Sequence, residues 1–345
     1  KIAEEYVGKG GKVLFLVPSL SLLSQTLSEW TQESTIPLYS YAVCSDSEIG
    51  KKKNNTEIDA VTTLEHELQY PATTDAQKLA ASVANNDQNH MTVIFSTYHS
   101  INTISDAQHH YGMDEFDMII CDEAHRTTGA THDSDDDSNF VKIHNSEFIF
   151  GKKRLYMTAT PRIFSDDVKE DSNEYKLYSM DNEELFGKTL YTINFSEAVN
   201  LGLLVDYKVI VLTVDSETII DKIGSTITEN SEILVDDAAR IVGCWKALSK
   251  QGIHADVQGD TNPMQRALAF CQVIDPSEKA RKHQVSSTRI ANIFQTVVEA
   301  YQEAEANEGN EISHHLICEA QHVDGAMGAD KKEQKLNWLK ATPPK

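Results

Sequence analysis

Short, unbroken apolar runs separated by stretches of helical periodicity constrain this chain of 345 residues more than any other feature. Val13-Leu14-Phe15-Leu16-Val17 is closed by Pro18, and Met91-Thr92-Val93-Ile94-Phe95 leads into Ser96-Thr97-Tyr98. Phe116 to Cys121 and Arg154 to Met157 are built the same way. Runs of this length without polar alternation mark strands buried on both faces, as in a parallel sheet. Between them Leu20, Leu23, Leu27 and Trp30 fall on one helical face, with Ser19 or Ser21 placed to cap it. The alternation predicts an α/β fold with a mostly parallel sheet.

The length suits two domains at about 150 residues each. Lys1 to Val7 reads as a helix stopped by Gly8, Gly10 and Gly11. Near Asn200 a helix ends, Gly202 breaks it, and Tyr207 to Val214 reads as a new strand. The boundary is therefore placed at about residue 205, giving a first domain over 1–205 and a second over 206–345. In the second, Ile241, Trp245 and Leu248 mark a helix. Ile290, Ile293, Phe294, Val297, Val298 and Tyr301 mark another, and a last one opens at Asp330. Arg266 to Ile274 and His315 to Ala320 read as strands.

Composition removes several classes. A hydrophobic fraction of 40% and a charged fraction of 24% exclude a disordered tail or a fibre. No apolar run reaches the ~20 residues that span a bilayer, so no membrane partner is expected. The five cysteines are scattered and form no Cys-x-x-Cys pair, which argues against a disulfide framework or structural zinc and predicts a cytoplasmic location. His109-His110 and His314-His315 lack neighbours at metal spacing. The formal net charge of -22 opposes broad electrostatic adhesion to nucleic acid. Any nucleic-acid groove is then local and built largely on backbone N–H groups, with other domains supplying affinity. The acidic run Asp133 to Asp137 lacks the glycine and glutamate of a calcium loop and reads as solvated. Lys51-Lys52-Lys53 reads as an exposed basic turn that could equally touch a nucleic-acid backbone.

The chemistry concentrates where strands end. Asp122-Glu123-Ala124-His125 follows the apolar run ending at Cys121. In open α/β sheets ligands bind beyond the carboxyl ends of strands, and two adjacent carboxylates there suit a magnesium nucleotide. Asp122 is placed to hold Mg²⁺ and Glu123 to orient or deprotonate an attacking water. Thr158-Ala159-Thr160 follows the next apolar run, where the hydroxyls of Thr158 and Thr160 could hydrogen-bond the acidic turn and sense a nucleotide. Ser19, Thr97 and Tyr98 lie at strand-to-helix turns, where N–H groups and the helix dipole favour a phosphate. Capping and a partly buried tyrosine explain the same residues. Glu174-Tyr175-Lys176 and Glu333-Gln334-Lys335 match a piece of many nuclease sites but lack a partner aspartate, so no nuclease activity is expected.

Asp-Glu-Ala-His at 122–125 with Thr-Ala-Thr at 158–160 resembles motifs II and III of superfamily 2 helicases and translocases. Pro18-Ser19 with the following helix resembles motif Ia, Ser96-Thr97-Tyr98 the Ib/Ic region, and Ala267 to Ile274 is placed like motif IV. Cys121 to Arg126, Met157 to Arg162 and His322-Val323-Asp324-Gly325 look most like the motors of restriction-modification enzymes, single-chain and type I-like, and phage-type helicases. The resemblance implies two RecA-like lobes of the P-loop NTPase type and ATP with Mg²⁺ as cofactors. It implies nucleotide and Mg²⁺ contacts at Asp122, Glu123 and His125, coupling through Thr158 and Thr160, and duplex DNA at Ser19, Thr97 and Tyr98. Asp122 and Thr158 are expected on one edge of the first sheet. An RNA helicase of the same superfamily and a non-hydrolysing nucleic-acid scaffold are alternatives.

One departure stands out. The family cradles phosphates with Gly-x-x-x-x-Gly-Lys-[Ser/Thr], and no such sequence occurs in the chain. The resemblance places that loop upstream and the arginine-bearing motif VI downstream. Both ends are therefore expected to be truncated, further domains of the same parent chain are expected as partners, and the chain alone is expected to be inactive as an ATPase. Loss of the upstream helix is expected to expose an apolar face of the first sheet.

Overall fold

The computed structural model describes residues 1–44, 72–131, 139–165, 176–207, 209, 211, 215–229, 234–250, 262–271, 273–274, 286–310, 317–324, 327 and 329–341. The Lys51 run, the Asp133–Asp137 run, His314-His315 and Glu174-Tyr175 lie outside the described residues. The chain forms two compact units, Lys1–Thr192 and Ile193–Lys345.

The first unit is built on a six-stranded sheet: β1 (Lys12–Val17), β2 (Leu38–Val43), β3 (Ala72–Thr73), β4 (Met91–Thr97), β5 (Met118–Cys121) and β7 (Arg154–Tyr156). Its order is β3-β2-β4-β1-β5-β7 and every pairing is parallel. A separate antiparallel pair joins β6 (Gly129–Thr131) to β8 (Lys176–Tyr178). The unbroken apolar runs have the predicted cause, since all seven residues of β4 and all four of β5 are buried. Helix α2 (Leu20–Glu33) buries Leu20, Leu23 and Leu27. With α1 (Ile2–Tyr6) it covers the face carrying Val13, Phe15, Val17, Val93, Phe95, Met118 and Ile120. Helices α3 (Ala76–Ala84) and α4 (Ile101–Tyr111) cover the other face, where Leu14, Leu16, Ile94, Ile119 and Cys121 pack on Leu79, Val83, Ile101 and Ile104.

The apolar face expected to lie open is closed: every strand residue just named on the α2 side is at most 7% exposed. In the second unit, the strand expected over Arg266–Ile274 is replaced by irregular backbone over 266–271 and a single parallel bridge from Val273 to Ser286. A strand persists by lateral pairing, and the described residues of this segment have that one bridge, leaving Phe270 95% exposed. Ile317 to Ala320 is likewise irregular, and of Tyr207 to Val214 only Tyr207, Val209 and Val211 are described, without strand pairing. The core of this unit is helical. Ser216–Glu229, Val235–Ser249 and Ser287–Asn307 bury Ile219, Ile241, Trp245, Val297 and Tyr301 together. The periodic apolar residues of the sequence thus become a three-helix contact, followed by the helix Ala329–Lys340.

Candidate nucleotide site

Parallel pairing sets the site. β5 lies between β1 and β7, so the turn after Cys121 stands beside the turns after Val17 and Tyr156 at one sheet edge. The ladder continues past the strands: Asp122 N donates to Leu16 O (2.9 Å), Met157 N to Cys121 O (2.9 Å) and Ala124 N to Met157 O (2.9 Å). Asp122 and Thr158 therefore share one edge, as expected.

Within the turn, Asp122 Oδ1 accepts a hydrogen bond from Glu123 N at 3.0 Å. Glu123 holds φ 49° and ψ 45°, a left-handed conformation that is costly for a residue with a Cβ. Residues Ala124–Thr127 then form a 3₁₀ turn, closed by Thr127 Oγ1 donating to Ala124 O at 2.8 Å. The ring of His125 gathers the neighbouring groups. Its Nδ1 lies 2.9 Å from Thr158 Oγ1, 3.3 Å from Glu123 Oε2 and 3.4 Å from Thr160 Oγ1. Thr160 N in turn donates to Thr158 Oγ1 at 3.1 Å. The hydroxyls after β7 thus join the acidic turn after β5 through one imidazole.

Burial, and secondarily the nearby charge of Glu123, push the Asp122 carboxyl above its ordinary range, against the lowering effect of the Glu123 N–H. Among the described residues, neither carboxylate meets a Lys or Arg side chain. A half-buried carboxylate beside a second one, neither paired with Lys or Arg among the described residues, fits a hard divalent cation. Mg²⁺ commonly takes one or two carboxylates and completes its shell with waters and phosphates. Asp122 and Glu123 match that donor set, and no group of three or more metal-ligating side chains occurs among the described residues.

The residues expected to meet DNA take different places. Ser19 caps α2, its Oγ accepting from Leu22 N at 3.4 Å. Thr97 and Tyr98 are fully buried, so neither side chain is available to a phosphate. Tyr98 stacks on Phe140 (5.0 Å, 27°) and donates its hydroxyl to Asp122 O at 2.8 Å. The apolar end of β4 and the sheet edge bury both residues, backbone included, so of the three only the partly exposed Ser19 can meet an anion.

Sequence reasoning missed His144. Its Nε2 lies 3.1 Å from Thr127 O and its Nδ1 3.1 Å from the Tyr156 hydroxyl. Its ring stacks on Tyr156 and Tyr178. It braces the turn after β5 against β7 from behind. Lys142-Ile143-His144 has no periodic or motif signal, and only the tertiary fold brings it there.

The family model described as type III restriction enzyme, res subunit, matches residues 1–163. A probable helicase of African swine fever virus is 29% identical over 204 residues, covering 57% of this chain and 18% of that protein. The type I restriction enzyme EcoAI endonuclease subunit of Escherichia coli is 23% identical over 185 residues, covering 49% of this chain and 19% of the subunit. Among solved structures, the ATP-dependent type ISP restriction-modification enzyme LlaBIII bound to DNA superposes with a TM-score of 0.73 at 33% identity, over 100% of this chain and 21% of that one. A nuclease-deletion mutant of the type ISP enzyme LlaGI with a DNA substrate mimic gives 0.55 at 28% identity, over 97% and 19%. The chain thus spans about a fifth of the length of each of these relatives. In sequence and in fold it is similar to the superfamily 2 helicase-like part of restriction-modification enzymes.

Proposed function

We propose that this chain is a segment of an ATP-dependent motor that moves along duplex DNA within a larger restriction-modification-like protein. One observation carries the reading: the Asp122 and Glu123 carboxylates stand at a parallel sheet's carboxyl edge with no Lys or Arg partner among the described residues, and His125 ties Glu123 to Thr158 after the neighbouring strand. Asp122 would hold Mg²⁺, which would supply charge neutralisation to the phosphates of ATP. Glu123 would accept the proton of the attacking water. His125 keeps Glu123 in register with Thr158 and Thr160, so a change at either turn reaches the other. DNA would run along the Ser19 turn. The choice of DNA rests on the DNA-bound restriction-modification enzymes that the chain resembles. The phosphate-cradling loop and the arginine groups would come from elsewhere in the parent protein. A cytoplasmic location fits the free cysteines.

Displacement of a triplex-forming strand from duplex DNA by the full-length protein tests this. The reading expects ATP-dependent displacement that is lost on Asp122→Ala. ATP-independent displacement, or none with a DNA-stimulated ATPase absent, overturns it.

A further inference from the structure

We infer that Tyr98 is a positioning residue that latches the Asp122–Glu123 peptide, and so fixes where the two site carboxylates point. The inference deepens the proposed function and rests on that reading for its catalytic consequence.

The Asp122–Glu123 peptide is held from both sides. Its carbonyl accepts from the Tyr98 hydroxyl at 2.8 Å, and its N–H donates to Asp122 Oδ1 at 3.0 Å. The peptide needs holding, because Glu123 lies at φ 49°. Glu123 and Lys250 are the non-glycine residues with positive φ among those described. A side chain in this region persists only when its surroundings over-determine it.

The two restraints are not equivalent. The one on the N–H comes from Asp122 itself, whose carboxylate is the group proposed to turn toward Mg²⁺. When Asp122 leaves the N–H, the Tyr98 hydroxyl is, among the described residues, the remaining partner of this peptide's own polar groups, while the bonds of Asp122 N to Leu16 O and Ala124 N to Met157 O hold the flanking peptides. That hydroxyl is rigidly carried. Tyr98 is 0% exposed and stacks on Phe140, while His99 meets the same ring edge-on at 5.0 Å. Asn139 Nδ2 donates to His99 O at 3.2 Å, and Lys142 Nζ donates to Asn139 Oδ1 at 3.0 Å and Asn102 Oδ1 at 3.2 Å. The turn after β4 is thereby fastened to the segment 139–142, and its tyrosine reaches across to the neighbouring acidic turn. A displacement of the β4 turn would be transmitted to Glu123 through one hydrogen bond.

Tyr98→Phe keeps the ring and its stack while leaving the Asp122 carbonyl unpaired. Two measurements on the full-length protein test the latch: amide hydrogen exchange at Glu123, and ATP turnover. Ile104→Val, a core change on α4 that leaves the Tyr98 hydroxyl and the Phe140 ring in place, serves as the stability control. The latch predicts Glu123 amide exchange faster by about tenfold and kcat lower by about tenfold in Tyr98→Phe, the worth of one buried hydrogen bond. KM for ATP stays within about twofold, because binding groups are untouched. Ile104→Val changes neither the exchange nor kcat. Phe140→Leu, which keeps the hydroxyl and loosens its support, accelerates Glu123 exchange in the same direction and answers the question should Tyr98→Phe not fold. Parental Glu123 exchange in Tyr98→Phe, or in Phe140→Leu where only that variant folds, overturns the latch. A parental protein without DNA-stimulated turnover overturns the motor reading instead, and leaves the exchange measurement to decide the latch alone.

Discussion

Glu4 sits on the first helix, yet its Oε1 accepts from the loop that follows α2: from Thr35 N at 2.7 Å, Ser34 Oγ and Thr35 Oγ1 at 3.0 Å and Ile36 N at 3.2 Å. Burial alone would raise its pKa, but these donors outweigh it and hold the carboxyl down at about 2. A folded-state pKa below the ordinary value contributes stability above that value, and the contribution is lost as pH falls through the folded value. Urea unfolding should therefore show Glu4→Gln less stable than the parent at pH 7, with the gap closing as pH falls from about 4.5 toward 2. A gap independent of pH would mean that the charge plays no part. At the acidic turn, Thr158→Val removes the hydroxyl nearest to His125 Nδ1. About 1 kcal/mol of stability should go with that hydrogen bond, read from the urea midpoint. In the full-length protein, DNA stimulation of ATP turnover should fall more than basal turnover, since the link between the two turns is cut. Equal losses would argue that Thr158 has no coupling role. The turns carrying Asp122, Glu123 and Thr158 were legible in the sequence because each follows an apolar strand, whereas His125 entered only through the resemblance to motif II. His144 and the hydroxyl of Tyr98 were not legible, because their partners lie 12 and 24 residues away and are set by sheet order.

Among the elements, the strands of the first unit were the most legible, because a strand buried on both faces leaves an apolar run that little else explains. Gly151 shows how tightly that sheet is closed. A Cβ there would lie 2.5 Å from Ile119 Cδ1 and 2.8 Å from its Cγ1, and Ile119 is fully buried. Gly151→Ala should cost roughly 1–3 kcal/mol, the usual penalty for overpacking, measured by urea unfolding. An unchanged midpoint would show that the β5–β7 edge has slack. In the second unit the helices Val235–Ser249, Ser287–Asn307 and Ala329–Lys340 were legible, but Ser216–Glu229, which adds Ile219 to the same core, was not. The unit was misread at Arg266–Cys271, where apolar content alone suggested a strand. Periodicity reports which residues seek burial, but a strand also needs a neighbour to pair with, and the local sequence carries no record of that neighbour.

For the molecule as a whole, charge limits what the chain does alone. With a net charge of -22, its attraction for a polyanion must come from a few local groups. Fluorescence anisotropy of the isolated chain with duplex DNA should therefore give weak binding with a shallow salt dependence, on the order of one or two phosphate contacts. A steep slope, on the order of six contacts or more, would require an extensive basic surface. The central claim, that the edge carrying Asp122 and Glu123 is the site of nucleotide hydrolysis, is tested most directly by phosphate release from ATP by the full-length protein, with and without duplex DNA, comparing the parent with Glu123→Gln. The amide keeps the size and position of the side chain but cannot take a proton from water, so turnover should fall by about a hundredfold or more while ATP binding stays near parental. Parental turnover in Glu123→Gln would contradict the assignment of the site.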